Sequence, residues 1–431
     1  MDSTTLFLVG LFLLVACAVL VGELFSRFGQ AALVGQLLVG IVIGPTFLGS
    51  LLGFSSLATP FSGLQFLATF FILMTAGLAV TPQQIRSTGR PAALLGVAIF
   101  VAPFLTGTLV VHLLYPGLSI MTALFVSLTI SITALPVLAI MLREFGLFRS
   151  RFGTVLMNTS LVNELAAVTV FAVLLRVQGN LGSPLLAVVT AVVTVALFLS
   201  SVLLVHMALV SLRRVRVWGR MAERFRETWR IPEAGFAVLM VVALGAALYS
   251  QFLGLTFLVG AFYAGILVTP ESAGRRQHRT ISLVFEAVTW GFFIPLFFAL
   301  VGFGMDLRSL ATSPATLLVF ALLGAFAFLS KVAAGSLVAR GLGWTRDESL
   351  GAGFLVSSRG AVELAMAVIL LDQGIFSRTI YTVVAGVGLV TTFLAPIGSK
   401  PFVRSIPAER RKADEESANA PLEAWIPPPD F

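Results

Sequence analysis

The chain has 431 residues, 58% of them hydrophobic and 11% charged, with a formal net charge of +8 and a mean hydropathy of +1.01. A water-soluble chain carries about a quarter charged residues, so this one cannot cover a water-facing surface, and a soluble multidomain enzyme is excluded. A nucleic-acid binder is excluded too, because a basic excess in so apolar a chain belongs to the loops on one side of a membrane.

Apolar runs of about 20 residues predict membrane-crossing helices. In chain order they fall at 5–23, 31–49, 63–80, 91–113, 119–142, 152–176, 184–211, 233–251, 254–269, 282–304, 313–339, 348–371 and 379–401, thirteen in all. The first lacks a positively charged flank and a small-residue cleavage site, so it reads as a membrane helix and not a signal peptide. It holds Cys17, the single cysteine, which excludes an intrachain disulfide and reads as a packed small hydrophobe. Residues 1–403 therefore form one transmembrane domain. The segment 404–431 is rich in proline and charge and reads as a short disordered tail.

Distributed over these spans, 23 of the 28 basic residues lie in the tail or in loops that follow odd-numbered helices. Loops after even-numbered helices hold only Arg176, Arg308 and Arg378. By the positive-inside rule this places the N-terminus outside and the C-terminus in the cytoplasm. The remaining two, Lys331 and Arg359, fall within apolar spans, as do Glu164 and Glu363. An ionisable group at membrane depth costs about 3 kcal/mol on insertion scales, which makes each of these four a functional candidate. Glu23, Glu233 and Glu286 sit at or near span ends and read as interfacial carboxylates.

Glu164 lies in mid-span, too far from either end to reach water. Asn163 precedes it, and Thr159 and Ser160 stand one turn earlier, so oxygen ligands cluster on one sector of the helix. The alternative is a carboxylate kept only to pair with Lys331 or Arg359. Glu363 follows Arg359 by four residues, a same-face spacing that suits either a structural ion pair or a direct transport role. Lys331 reads equally as a proton carrier or as a fixed counter-charge. Two spans look discontinuous. The fifth carries Ser127, Thr129, Ser131, Thr133 and Pro136, and the twelfth carries Ser357, Ser358, Arg359 and Gly360 in mid-span. Interruptions at corresponding places in two halves of a membrane chain point to a transporter's midplane site, and an offset of seven spans makes the second copy inverted.

At these positions the sequence resembles the bacterial cation:proton antiporters with a sodium/hydrogen-exchanger domain, the branch that includes potassium-efflux antiporters, from about residue 20 to 400. The resemblance is carried by VGQLLVGIVIGPTFLG (34–49), LATFFILMTAGLAVTPQQIR (67–86), SITALPVLAIMLREFGLFRSRFGTVLMNTSLVNELAAV (131–168), FFIPLFFALVGFGMDL (292–307) and RGAVELAMAV (359–368). It implies an all-α polytopic bacterial inner-membrane protein of about thirteen helices, with inverted repeats and two discontinuous helices crossing at the ion site. It also implies a homodimer built from a dimerisation part and a mobile core part, with elevator-like exchange of Na+ or K+ for H+. Lys331 falls where electrogenic members have their core lysine. Asn163 and Glu164 replace the usual acidic pair, or Gln/Asn followed by Asp, so Lys331 lacks its first acidic partner. Ala79 stands where a glutamate is common. No dinucleotide fold is expected to follow, so nucleotide gating is not expected, and GAGFLV at 351–356 lacks the third glycine of a dinucleotide site.

The expected mechanism is alternation at one carboxylate. Glu164 takes a dehydrated monovalent cation when ionised and a proton when neutral, with Thr133, Asn163 and Ser160 near the ion. Broken-helix carbonyls complete the oxygen shell, and helix-end dipoles, Lys331 and Arg359 offset unpaired ends and carboxylates. One proton for one Na+ (or K+) is electroneutral, with Glu363 and Lys331 as second titrating groups otherwise. The runner-up is a proton-coupled symporter of a small organic solute, with a larger aromatic-lined cavity. A channel is disfavoured for want of a repeated filter sequence. An enzyme is disfavoured because His112, His206 and His278 lie far apart without metal-site spacing. No cofactor is expected beyond the transported ions, and no nucleic-acid or nucleotide partner.

Overall fold

The computed structural model describes residues 2–28, 30–51, 53–78, 89–115, 117–148, 150–179, 184–214, 234–268 and 275–406. Among these residues the chain is helical, without a strand. Ala79, the basic segment 215–233, which includes Glu233, residues 269–274 and the tail from 407 lie outside the described residues. Nine helices among the described residues are long and apolar enough to cross a membrane.

The longer helices are α1 (Ser3–Arg27), α2 (Ala32–Ile43), α3 (Ala58–Leu78), α4 (Arg90–Leu114), α5 (Ile120–Thr129), α6 (Leu135–Glu144), α7 (Arg151–Gln178) and α8 (Pro184–Arg214). They continue as α9 (Ala234–Phe252), α10 (Phe257–Leu267), α11 (Arg275–Val288), α12 (Ile294–Gly304), α13 (Pro314–Gly341), α14 (Arg346–Leu355), α15 (Ala361–Asp372) and α16 (Arg378–Arg404). Polar residues just before the apolar runs start several of them. Asp2, Ser119, Ser313 and Ser377 each accept from a backbone N–H of the first turn, and Thr345 and Glu348 close a reciprocal capping box at α14.

Three elements depart from the sequence reading. The expected helix 31–49 stops at Ile43, because Gly44 precedes Pro45 and is held extended. The span 119–142 is discontinuous as expected, but its break falls at residues 130–134, ahead of Pro136, which sits in the first turn of α6. A proline there removes an N–H that has no helical partner anyway, so it starts the second half-helix and does not interrupt it. Glu286, placed by sequence near a helix start, is half-buried and well inside α11, which begins at Arg275 and joins α12 through a π-turn at Thr289–Phe293.

The chain divides into two compact units. One takes Met1–Thr69, Arg86–Ala167 and Phe292–Ala420; the other takes Phe70–Ile85 and Val168–Gly291. In the first unit, α1, α2 and α12 pack around Leu14, Ala18, Val39, Ile43, Leu296, Ala299, Leu300 and Phe303. α2 and α12 approach so closely that a Cβ at Gly40 would strike the Ala299 carbonyl, and one at Gly302 the Leu37 carbonyl. Elsewhere in this unit α13 packs on α4 and α14, and α14 on α16. In the second unit α10 packs against α9 and α8, and Phe71 of α3 stacks on Phe285 of α11 at 4.8 Å between centroids.

Candidate functional site

Within the first unit the two interrupted spans meet at their breaks. The link 130–134 joins α5 to α6, and the link 356–360 joins α14 to α15. The Ala134 N–H donates to the Ser358 carbonyl at 3.2 Å, and Thr133 Oγ1 donates to the Val356 carbonyl at 2.8 Å. A Cβ on Gly360 would lie 2.5 Å from the Ala134 Cβ, so the absent side chain is what lets the links cross. Two helix C-termini and two helix N-termini therefore converge, presenting partial charges of both signs. Unwound backbone at this depth must find hydrogen-bond partners from protein.

Side chains of α7 and α13 supply most of those partners. Asn163 Nδ2 donates to the Ser131 carbonyl at 3.1 Å, and its Oδ1 accepts from the Thr133 N–H at 2.7 Å. Ser160 Oγ donates to the Thr133 carbonyl at 3.3 Å. Lys331 Nζ donates to the Ser131 and Ile132 carbonyls at 2.8 and 2.7 Å, setting its ammonium at the negative end of α5. Glu164 Oε1 accepts from the Leu135 N–H at 3.1 Å, setting its carboxylate at the positive end of α6. Both side chains are buried, Lys331 at 0% exposure and Glu164 at 1%.

The second link is held differently. The Arg359 N–H donates to Thr392 Oγ1 at 3.0 Å, and that hydroxyl donates to the Arg359 carbonyl at 3.1 Å. Arg359 Nη1 lies 3.5 Å from Glu363 Oε1, with both side chains buried and Glu363 in the first turn of α15. Among the described residues, none of the three guanidinium nitrogens and neither carboxylate oxygen of this pair has a hydrogen bond. A narrow gap borders the pair, lined by Leu33 and Leu37 of α2 and by Gly388 and Thr392 of α16.

The residues proposed from the sequence for the ion site lie at this crossing or on its supports. Thr133, Ser160, Asn163, Glu164 and Lys331 form one hydrogen-bonded set around the first link; Gly360, Arg359 and Glu363 belong to the second; Pro136 starts α6. Thr133 and Asn163, expected to offer oxygens to an ion, here hold the backbone of the links. Glu164 forms an ion pair with neither Lys331 nor Arg359 among the described residues. Sequence reasoning misses Thr392 and the backbone carbonyls of Val356 and Ser358. Thr392 is one of several threonines in an apolar run, and nothing local marks it. An enclosed carboxylate without an ion-pair partner requires a positive companion, either a covalent proton or a small cation.

The sequence matches the family described as the transmembrane sodium/hydrogen exchanger over residues 11–405. It is 28% identical over 408 residues to K(+)/H(+) antiporter 1 of Saccharomyces cerevisiae, covering 89% of this chain and 45% of that protein. It is 25% identical over 410 residues to Na(+)/H(+) antiporter NhaS4 of Synechocystis, covering 91% of this chain and 97% of the relative. The chain thus spans less than half the length of the yeast relative and nearly all of the cyanobacterial one. Among solved structures it is similar to the sodium proton antiporter MjNhaP1 of Methanocaldococcus jannaschii, with a TM-score of 0.70 and 14% identity, covering 94% of this chain and 99% of that one. That likeness is one of fold.

Proposed function

Because the chain belongs to the sodium/hydrogen exchanger family, we propose that it exchanges a monovalent inorganic cation for H+ across a membrane, by alternating access at Glu164. The observation that carries this reading is the enclosed Glu164 carboxylate at the positive end of α6, with no ion-pair partner among the described residues. Ionised, it binds a small cation; protonated, it is neutral. The two states exclude each other at one atom set, which is the requirement for obligatory exchange.

Na+ is the first choice of cation and K+ the second; relatives named for each ion support both. Lys331 acts as a fixed charge at the α5 terminus, since both its bonds go to backbone carbonyls. With one exchanging carboxylate, one cation replaces one proton and turnover carries no net charge. The membrane domain is residues 1–403, with thirteen helices, two inverted repeats and a cytoplasmic segment at 404–431. It sits in a bacterial inner membrane with its N-terminus outside. It works as a homodimer in which a core part moves against a dimerisation part.

The test is cation-driven proton movement in everted vesicles, with Na+, K+ and Li+ as separate arms. Wild type is expected to release an imposed pH gradient on addition of the transported cation, and Glu164→Gln to give no response at equal expression. Undiminished exchange in Glu164→Gln would remove this carboxylate from the mechanism.

A further inference from the structure

The first half-helix pair has its carboxylate, Glu164, at the N-terminus of α6. The second pair also has a buried carboxylate at a half-helix start, Glu363 in the first turn of α15, borne by that half-helix itself and accepting no hydrogen bond among the described residues. The difference lies in what accompanies each. Glu164 has no ion-pair partner among the described residues, whereas Glu363 faces the guanidinium of Arg359 at 3.5 Å. We infer that Glu363 is a second, latent cation-binding carboxylate, and that Arg359 is a tethered cation occupying it. This inference rests on Glu164 being the exchanging site.

Three observations bear on it. Arginine–carboxylate pairs are frequently bidentate, with two short N–H···O bonds fixing the fork. Here the contact is single and long, and all five polar atoms of the two side chains lack a hydrogen bond among the described residues. The guanidinium thus supplies charge without the geometry that would lock it. Second, both side chains are enclosed, Arg359 at 1% and Glu363 at 0% exposure, so neither draws on bulk water for compensation. Third, the surroundings bring no second charge against the carboxylate. Gly388 faces the carboxylate closely enough that a Cβ there would lie 3.3 Å from Oε1, and the bordering gap is lined by Leu33, Leu37 and Thr392, none of them charged. Arg359 is the single formal cation in contact with Glu363 among the described residues.

Removing the guanidinium charge while keeping the carboxylate should open this position to a free monovalent cation. The experiment measures equilibrium binding of radiolabelled Na+ and Rb+ to purified protein in Arg359→Gln, Glu164→Gln and the double variant, with choline replacing the cation for control. Arg359→Gln is expected to bind twice as many cations per protomer as wild type. Glu164→Gln is expected to bind none, and Glu164→Gln/Arg359→Gln to regain one, which disappears again when Glu363→Gln is added. Thermal unfolding gives a second readout. Added cation should raise the midpoint of Arg359→Gln more than that of wild type, because the cation then stabilises the folded state at an additional site. Unchanged stoichiometry in folded, monodisperse Arg359→Gln would overturn the inference. So would failure to isolate that variant even at high cation concentration, since the proposal requires a free cation to replace the guanidinium. Retained binding in Glu164→Gln alone would instead overturn the reading of Glu164.

Discussion

At the scale of single residues, the crossing is governed by which buried polar group answers which backbone end. Asn163 satisfies two groups of the first link at once, a carbonyl through Nδ2 and an N–H through Oδ1. A side-chain amide offers a donor and an acceptor on separate atoms. Asn163→Leu keeps the approximate volume and strands both partners, so it is expected to destabilise the protein by about 2 kcal/mol. The check is the thermal midpoint in detergent against wild type; an unchanged midpoint would mean that the link finds other partners. Lys331 carries no equally clear sign, because its removal frees two carbonyls but also spares the desolvation of a buried charge.

At the scale of elements, close helix approach does as much as hydrogen bonding. α2 and α12 touch backbone to backbone at Gly40 and Gly302. Gly302→Val would drive a branched side chain into the Leu37 carbonyl, and the separation it forces is expected to cost about 2 kcal/mol. Denaturation of the purified variant checks this, with Gly63→Ala, where a Cβ meets nothing within 4 Å, as the control. Much of this level is legible in the sequence. The apolar runs mark the helices, and mid-span serine, threonine and glycine mark both broken ones. The placement of the first break is not legible, because Pro136 suggests an interruption where it in fact begins a half-helix. The partners of Lys331 are also hidden. Sequence shows charges and suggests that they pair with each other, whereas backbone carbonyls freed by unwinding are equally strong acceptors and leave no trace in composition. Thr392 lies 33 residues beyond the Arg359 backbone it holds, a distance that no local pattern bridges.

At the scale of the whole molecule, the proposed topology accounts for the net charge without a charged partner. On the expected thirteen-span assignment its basic residues gather in alternate connections, several of them in 215–233 and the tail. A reporter fused after Ile406, read on the cytoplasmic side by green fluorescent protein and on the outer side by alkaline phosphatase, is expected to give fluorescence without phosphatase activity. The opposite pattern would invert the assignment. Within the unit that holds the crossing, four half-helix ends lie beside two carboxylates, one lysine and one arginine. A monovalent cation and a proton bring the same charge to Glu164, so replacing one by the other leaves the local total unchanged.

The first link has one more property. Thr133, Ala134 and Leu135 are consecutive, and each N–H points to a different acceptor: Asn163, the Ser358 carbonyl and Glu164. These amides lie at a helix start, where fraying ordinarily makes exchange with deuterium fast, yet here all three should exchange slowly. Only the last of them touches the carboxylate proposed to exchange the two ions. A hydrogen bond to an ionised acceptor is stronger than one to a neutral acceptor. The Leu135 amide is therefore an isotopic gauge of what Glu164 carries, with its two neighbours in the chain serving as internal standards.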